Sequence, residues 1–177
     1  LGTWGGETVT TGELMWIGSN GYGQGGVADV VPDWTAATES TAATTWTQVS
    51  VGTDHTCGVR AGGSLWCWGR NDSGQLGLGS TSTAVTSPTQ LTSPAVTWSM
   101  VSAGGSHTCG VTTAGVLYCW GLNGNGQLGV DDTTSRSTPT QVYTTPAQGG
   151  WGTVAAGSTH TCSTYTGNTI YCWGQDT

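Results

Sequence analysis

The 177 residues carry ten acidic side chains against three arginines and no lysine, for a net charge of −7 with only 7% of residues charged. A nucleic-acid partner requires a basic stripe that displaces phosphate counterions, and Arg60, Arg70 and Arg136 are too few and too scattered to form one. The same shortage excludes electrostatic docking on anionic membranes, and no apolar run suggests insertion into one.

From the start of the chain, Thr3–Val9 reads as a strand with Glu13–Gly18 as its return. The segment Leu14-Met-Trp-Ile-Gly-Ser-Asn-Gly-Tyr-Gly-Gln-Gly-Gly26 follows, and then the least regular stretch, residues 27–45. Thr47–Gly52 reads as a short strand, His55–Val59 as the next, and Ala61-Gly-Gly63 as a turn into the return strand Leu65–Gly69. The loop Asn71-Asp-Ser-Gly-Gln-Leu-Gly77 and a polar stretch lead to a short edge strand, Ser87-Pro-Thr-Gln-Leu91. A proline is tolerated there because an edge strand need not donate to a ladder at that position.

The same plan then recurs. Trp98 opens a second copy that runs through Val101–Gly104, His107–Val111, Val116–Gly121 and Gly124–Gly129 to Thr138-Pro-Thr-Gln-Val142. A third copy begins at Trp151 and reaches Ile170-Tyr-Cys-Trp-Gly-Gln175. Leu65–Gly77 and Leu117–Gly129 match almost residue for residue, and Leu14–Gly26 is an eroded version. Equivalent positions fall 51, 52 and 53 residues apart, the mark of one supersecondary unit stacked several times. Four short strands per unit, glycine turns and no helical period predict an all-β chain of propeller blades. The units are a partial first blade with an irregular linker (1–45), repeats at 46–97 and 98–150, and a partial last repeat (151–177).

The six cysteines form local pairs, Cys57/Cys67, Cys109/Cys119 and Cys162/Cys172, each ten residues apart around a turn sequence. In a hairpin the two would lie directly opposite, with Cα atoms about 4.5–5.5 Å apart, which is disulfide range. Zinc sites favour cysteines two to four residues apart, so one facing pair per repeat suits a disulfide better. Disulfides of this kind place the chain in an oxidising compartment, extracellular or at a cell surface. There is no signal peptide and no initiator Met, so Leu1 reads as the start of a processed chain or of an excerpt.

The assembled pattern is a Gly-x-x-His-Thr-Cys strand, a glycine turn, Leu-x-Cys-Trp-Gly, and Asn-x-x-Gly-Gln-Leu-Gly. It resembles the regulator-of-chromosome-condensation repeat family across essentially the whole chain, most strongly from Trp46 to Gly129, in its secreted, cysteine-paired bacterial form. The resemblance implies a β-propeller, commonly seven-bladed, of which this chain would be about half. The namesake's role as a nuclear exchange factor fits an acidic, lysine-free, cysteine-paired chain badly on charge and on compartment.

Among candidate sites, His55, His107 and His160 recur once per repeat, which favours a repeated hydrogen bond to a neighbouring loop over a zinc site. Trp68, Trp120 and Trp173 are expected to fill the core between blades, and Trp46, Trp98 and Trp151 to pack on the preceding blade. The alternating row Trp66, Tyr118 and Tyr171 is the candidate contact surface for protein or sugar. Asp72, Asp131 and Asp132 lack the dense carboxylates of a calcium loop. Asn71-Asp-Ser73 is a glycosylation sequon in an expected exposed loop. With the cysteines paired and no lysine there is no catalytic constellation, no metal site and no cofactor site. The sequence therefore predicts a non-catalytic extracellular structural or interaction protein. Its incomplete blades at both ends would pair with copies of itself into a multimer or fibre. The alternative is a protein- or glycan-binding module from a longer bacterial surface protein.

Overall fold

The computed structural model describes residues 2–4, 7–9, 15–26, 33–39, 45–143 and 149–175. Two complete blades form its centre. The first is a four-stranded antiparallel sheet of β5 (Trp46–Val51), β6 (His55–Arg60), β7 (Leu65–Asn71) and β8 (Ser82–Gln90) in chain order. The second repeats it with β9 (Trp98–Ala103), β10 (His107–Thr112), β11 (Leu117–Gly121) and β12 (Arg136–Gln141). A third blade has three strands, β13 (Trp151–Ala156), β14 (His160–Tyr165) and β15 (Thr169–Gly174). Ahead of them lie two pairs, β1 (Gly2–Trp4) with β2 (Glu7–Val9), and β3 (Met15–Ser19) with β4 (Asp33–Glu39). No helix among the described residues is long and apolar enough to cross a membrane.

The register of each blade follows from its hairpin. Cys57 faces Cys67, Cys109 faces Cys119 and Cys162 faces Cys172, and all three pairs are bridged at a Cα separation of 4.1 Å. The bridges cross the middle of each blade, and the two in the complete blades are fully buried.

The core lies between blades. Cys57, Val59, Leu65, Leu76 and Leu91 of the first full blade pack against Trp98, Val101 and Trp120 of the second. One repeat later, Val111, Leu117, Leu128 and Val142 pack against Trp151 and Val154. Trp98 and Trp151 thus pack on the preceding blade, and Trp120 fills the seam beside them.

Three sequence expectations are corrected. The strand expected over Thr3–Val9 is broken into β1 and β2, which pair with each other. The return strand β3 pairs instead with β4, inside the stretch read as irregular. There Trp34 faces Gly18, as Val85 faces Gly69 and Arg136 faces Gly121, so β4 is an outer strand and Trp34 takes a repeat position. The edge strand expected at Ser87–Leu91 begins earlier, at Ser82, because the Thr- and Ser-rich run before it continues the ladder opposite Arg70 and Asn71. Gly6, which in the sequence stands where the later repeats carry their first cysteine, lies outside the described residues.

Candidate functional site: the seams and the groove beside the three-stranded blade

Each seam is built around one backbone carbonyl. The loop after the third strand of a blade is closed by its own side chains. The Oδ1 of Asn71 accepts from the Leu76 N–H (3.1 Å), and the Oε1 of Gln75 accepts from the Ser73 N–H (2.9 Å). Asn123 and Gln127 repeat both bonds, to Leu128 and Asn125. So framed, the loop points the Gln75 carbonyl at the next blade, where Thr108 Oγ1 (2.7 Å) and Trp120 Nε1 (2.9 Å) both donate to it. The Gln127 carbonyl receives Thr161 and Trp173 in the same way, and Gln24 receives Thr56 and Trp68.

The histidines complete these seams. His55 Nε2 lies 2.8 Å from Thr108 Oγ1, and His107 Nε2 lies 2.9 Å from Thr161 Oγ1. Each threonine's one hydroxyl proton goes to a Gln carbonyl, so the hydroxyl oxygen accepts from the ring and Nε2 carries the proton. Nδ1 is then a bare lone pair, and it is buried without a partner in both rings. Burial, reinforced by the next histidine in the row, pushes the pKa of His55 down to about 3 and that of His107 to about 4. The expected partner, a neighbouring loop, is corrected to a threonine on a neighbouring strand. No group of three metal-ligating side chains exists among the described residues.

Side-chain amides and hydroxyls also join the inner strands. Gln48 accepts from the Val101 N–H (2.7 Å) and donates to its carbonyl (2.8 Å), while Ser50 accepts from the Ala103 N–H and Ser102 from the Ala156 N–H. A glutamine in this position substitutes for a paired strand, a role that its isolated place in the sequence gave no reason to expect.

The expected exposed sequon is corrected. Asn71 is 1% exposed, and its Nδ2 donates to the Ser80 carbonyl (3.0 Å) and to Ser82 Oγ (3.3 Å), so the atom a glycan would need is already engaged inside the loop. Asp72 and Asp132 are held by Arg70 and Arg136 in exposed ion pairs at 2.6 Å. Arg60 lies over two indoles instead, 4.5 Å from the Trp46 ring and 3.8 Å from the Trp66 ring.

The contact row is exposed at one end only. Trp66 is half-buried with Nε1 donating to Ser64 Oγ, Tyr118 is half-buried against Trp98, and Tyr171 is 44% exposed beside Trp151 and Tyr165. Tyr171 borders a groove of about 480 Å³ whose other walls include Gly126, Asp131, Tyr143 and Trp173. Beside it Ile170 is 67% exposed, although Leu65 and Leu117, its counterparts in the two complete blades, are fully buried.

Radially repeated four-stranded sheets joined by such seams define a β-propeller segment. The regulator of chromosome condensation (RCC1) repeat profile matches residues 62–111 and 114–163, with a second form of it matching 46–75, so the chain belongs to the RCC1 repeat family. It is 36% identical over 127 residues to the ultraviolet-B receptor UVR8 of Arabidopsis thaliana, covering 72% of this chain and 29% of the receptor. It is 38% identical over 96 residues to the probable E3 ubiquitin-protein ligase HERC3 of Homo sapiens, covering 54% and 9%. Among solved structures, human WBSCR16 superposes with a TM-score of 0.78 at 24% identity over 89% of this chain and 41% of that one. Prp20p of Saccharomyces cerevisiae, described with its binding to Gsp1p and histones, superposes at 0.77 and 22% identity over 93% and 40%. The chain thus spans less than a third of the curated relatives and about two fifths of the solved propellers.

Proposed function

We propose that this chain is a non-catalytic protein-interaction module that works outside the cell and associates with copies of itself. The observation that carries this reading is the scaffold itself, a run of RCC1 repeats built as blades locked to one another by carbonyl-centred seams. A rigid propeller face that presents aromatic side chains such as Tyr143 and Tyr171 to solvent suits contact with another polypeptide. If the joint repeats head to tail it yields a ring or a fibre. Three disulfides in consecutive blades support an oxidising location. Relatives and neighbours that engage proteins, such as Prp20p with Gsp1p and histones, support protein rather than small-molecule partners.

Light scattering with electron microscopy of undenatured material tests the assembly. Closed multimers or filaments are expected; a particle of 18.0 kDa at every concentration refutes self-association. A second reading, a glycan-binding module, is favoured by the exposed Tyr143 and Tyr171 beside the Asp131 carboxylate. Saturable binding on a glycan array, lost on Tyr171→Ala, would select it.

A further inference from the structure

One of the three arginines stands apart from the other two. Arg70 is held by Asp54 and Asp72, and Arg136 by Asp132, whereas Arg60 is in no ion pair among the described residues. It closes β6 and faces Trp46 of β5 in the register of the first complete blade. Its guanidinium carbon lies 3.8 Å from the centroid of the Trp66 ring and 4.5 Å from that of Trp46. Within this cluster the Arg60 Nε–H is buried without an acceptor, and so is the Trp46 Nε1–H. The arginine as a whole is half-buried, which leaves the terminal edge of its guanidinium open.

The hairpin holds these groups in place. The Arg60 N–H donates to the Ser64 carbonyl at 3.0 Å and its own carbonyl accepts from the Gly63 N–H at 2.8 Å, so the backbone beneath the side chain is fixed on both sides. Trp46 can lie against β6 because Gly58 has no side chain: a Cβ there would meet Cε3 and Cζ3 of the indole at 2.8 Å. Trp66 is anchored by its Nε1–H bond to Ser64 Oγ at 3.0 Å. One hairpin and the strand beside it therefore build both aromatic walls and the cation.

The fold does not need an arginine here. The register puts Thr112 at this place in the second blade, facing Trp98, and Tyr165 in the third, facing Trp151. Thr112 accepts from the Val116 N–H at 3.1 Å, and Tyr165 packs edge-on against Trp151. Both are neutral, and both find partners. Arg60 instead leaves a buried donor unpaired, which destabilises the fold unless another interaction uses the cation. Burial lowers its pKa from the usual arginine value with no acid beside it, whereas that of Arg70 is raised by its bonds to Asp72 and Asp54.

A guanidinium stacked on aromatic rings keeps its in-plane N–H fork for a planar acceptor. Where the rings also strip water from it, a carboxylate is held more strongly than at a fully hydrated arginine. The unpaired groups here are all donors, which suits a carboxylate; a sugar would bring hydroxyls that need acceptors as well. We infer that Arg60, flanked by Trp46 and Trp66, is a binding site for one Asp or Glu carboxylate of a polypeptide partner. The chain's own charge of −7 repels a run of acids, so the partner segment carries an isolated carboxylate with apolar neighbours that rest on the indoles. This deepens the interaction-module reading and rests on it, naming the chemistry of one contact.

The test is nuclear magnetic resonance on the full 177-residue chain, following the indole N–H signals of Trp46 and Trp66 while a capped Leu-Glu-Leu peptide is added. The expected result is a saturable shift with a Kd of about 1 mM that weakens as salt is raised. Capped Leu-Gln-Leu, the same shape without the charge, should bind about tenfold or more weaker. Arg60→Thr should do the same to Leu-Glu-Leu while keeping its melting temperature, since threonine already serves at this place in the second blade. Arg60→Lys keeps the charge without the planar fork and should also bind more weakly than the parent chain. No saturable shift at about 20 mM peptide, or equal binding by Leu-Gln-Leu or by Arg60→Thr, overturns the inference. So does tighter binding of glucuronate than of Leu-Glu-Leu, which would make an acidic sugar the occupant. If the peptide fails to bind while light scattering still shows multimers, the interaction-module reading stands and only this inference falls.

Discussion

The buried histidines give the fold a pH dependence that can be worked from their geometry. His55 and His107 donate from Nε2 to threonines in sealed seams, so their rings stay neutral in the folded chain down to about pH 3 and about pH 4. Unfolded, both rings take up protons near the ordinary value of 6.5. Between those limits the unfolded chain binds more protons, so stability is full above about pH 6.5 and falls as pH drops toward the folded values. At pH 5 each ring costs about 2 kcal/mol, or about 4 kcal/mol for the pair. With a urea dependence of about 2 kcal/mol/M, the unfolding midpoint should fall by about 2 M between pH 7 and pH 5. The carboxyl of Asp132, held below its ordinary range by the Thr134 N–H and Arg136, titrates beneath this window and does not mimic the effect. The assay is urea unfolding followed by tryptophan emission, with the disulfides kept oxidised. The double variant His55→Gln, His107→Gln keeps an N–H donor at each seam without a proton to gain, so its midpoint should be nearly flat over the same range. A flat wild-type profile, or an unchanged slope in the double variant, refutes the reasoning.

Other seam contacts make separate predictions. Gly77→Ala should cost about 3 kcal/mol, since a Cβ there meets Trp120 Nε1 at 2.8 Å and Leu91 Cδ2 at 2.9 Å on a backbone with φ of 72°; thermal unfolding reads it. Asn71→Ala removes the loop's internal acceptor and donor and should cost about 2 kcal/mol, while the intact mass of protein from a glycosylating host should show no glycan at this position. Replacing Cys109 and Cys119 together by serine opens one buried bridge and should lower stability by about 2–3 kcal/mol in chemical denaturation, with the other two bridges still intact by mass.

Much of this was legible because the repeat says each thing several times. The facing cysteines, the strand order within a blade and the packing of Trp98 and Trp151 all follow from turn positions and a 2-residue side-chain period. What escaped was what one repeat does to the next. Nothing local in Gln48 says that its amide will stand in for a strand beside Val101, 53 residues away. Asn71 reads as a surface sequon until the loop folds back and places Ser80 and Ser82 on its amide. The histidines were read correctly as repeated contacts, but the partner threonine sits beside a cysteine in the following repeat, where pattern alone assigns it to the core. The eroded start hid β4, since Trp34 takes a place held elsewhere by Val85 and Arg136 and so shares no residue type with them.

Each carbonyl-centred seam joins residues in adjacent copies only, at separations of 32 to 54 positions. Inserting or deleting one whole copy would therefore leave every remaining joint with its partners intact. Adding a single residue between a histidine and the following glutamine would disturb the joints on both sides at once. The chain is thus indifferent to how many copies it holds and intolerant of change in the length of any one. Its size is free to vary in steps of about fifty residues and in nothing smaller.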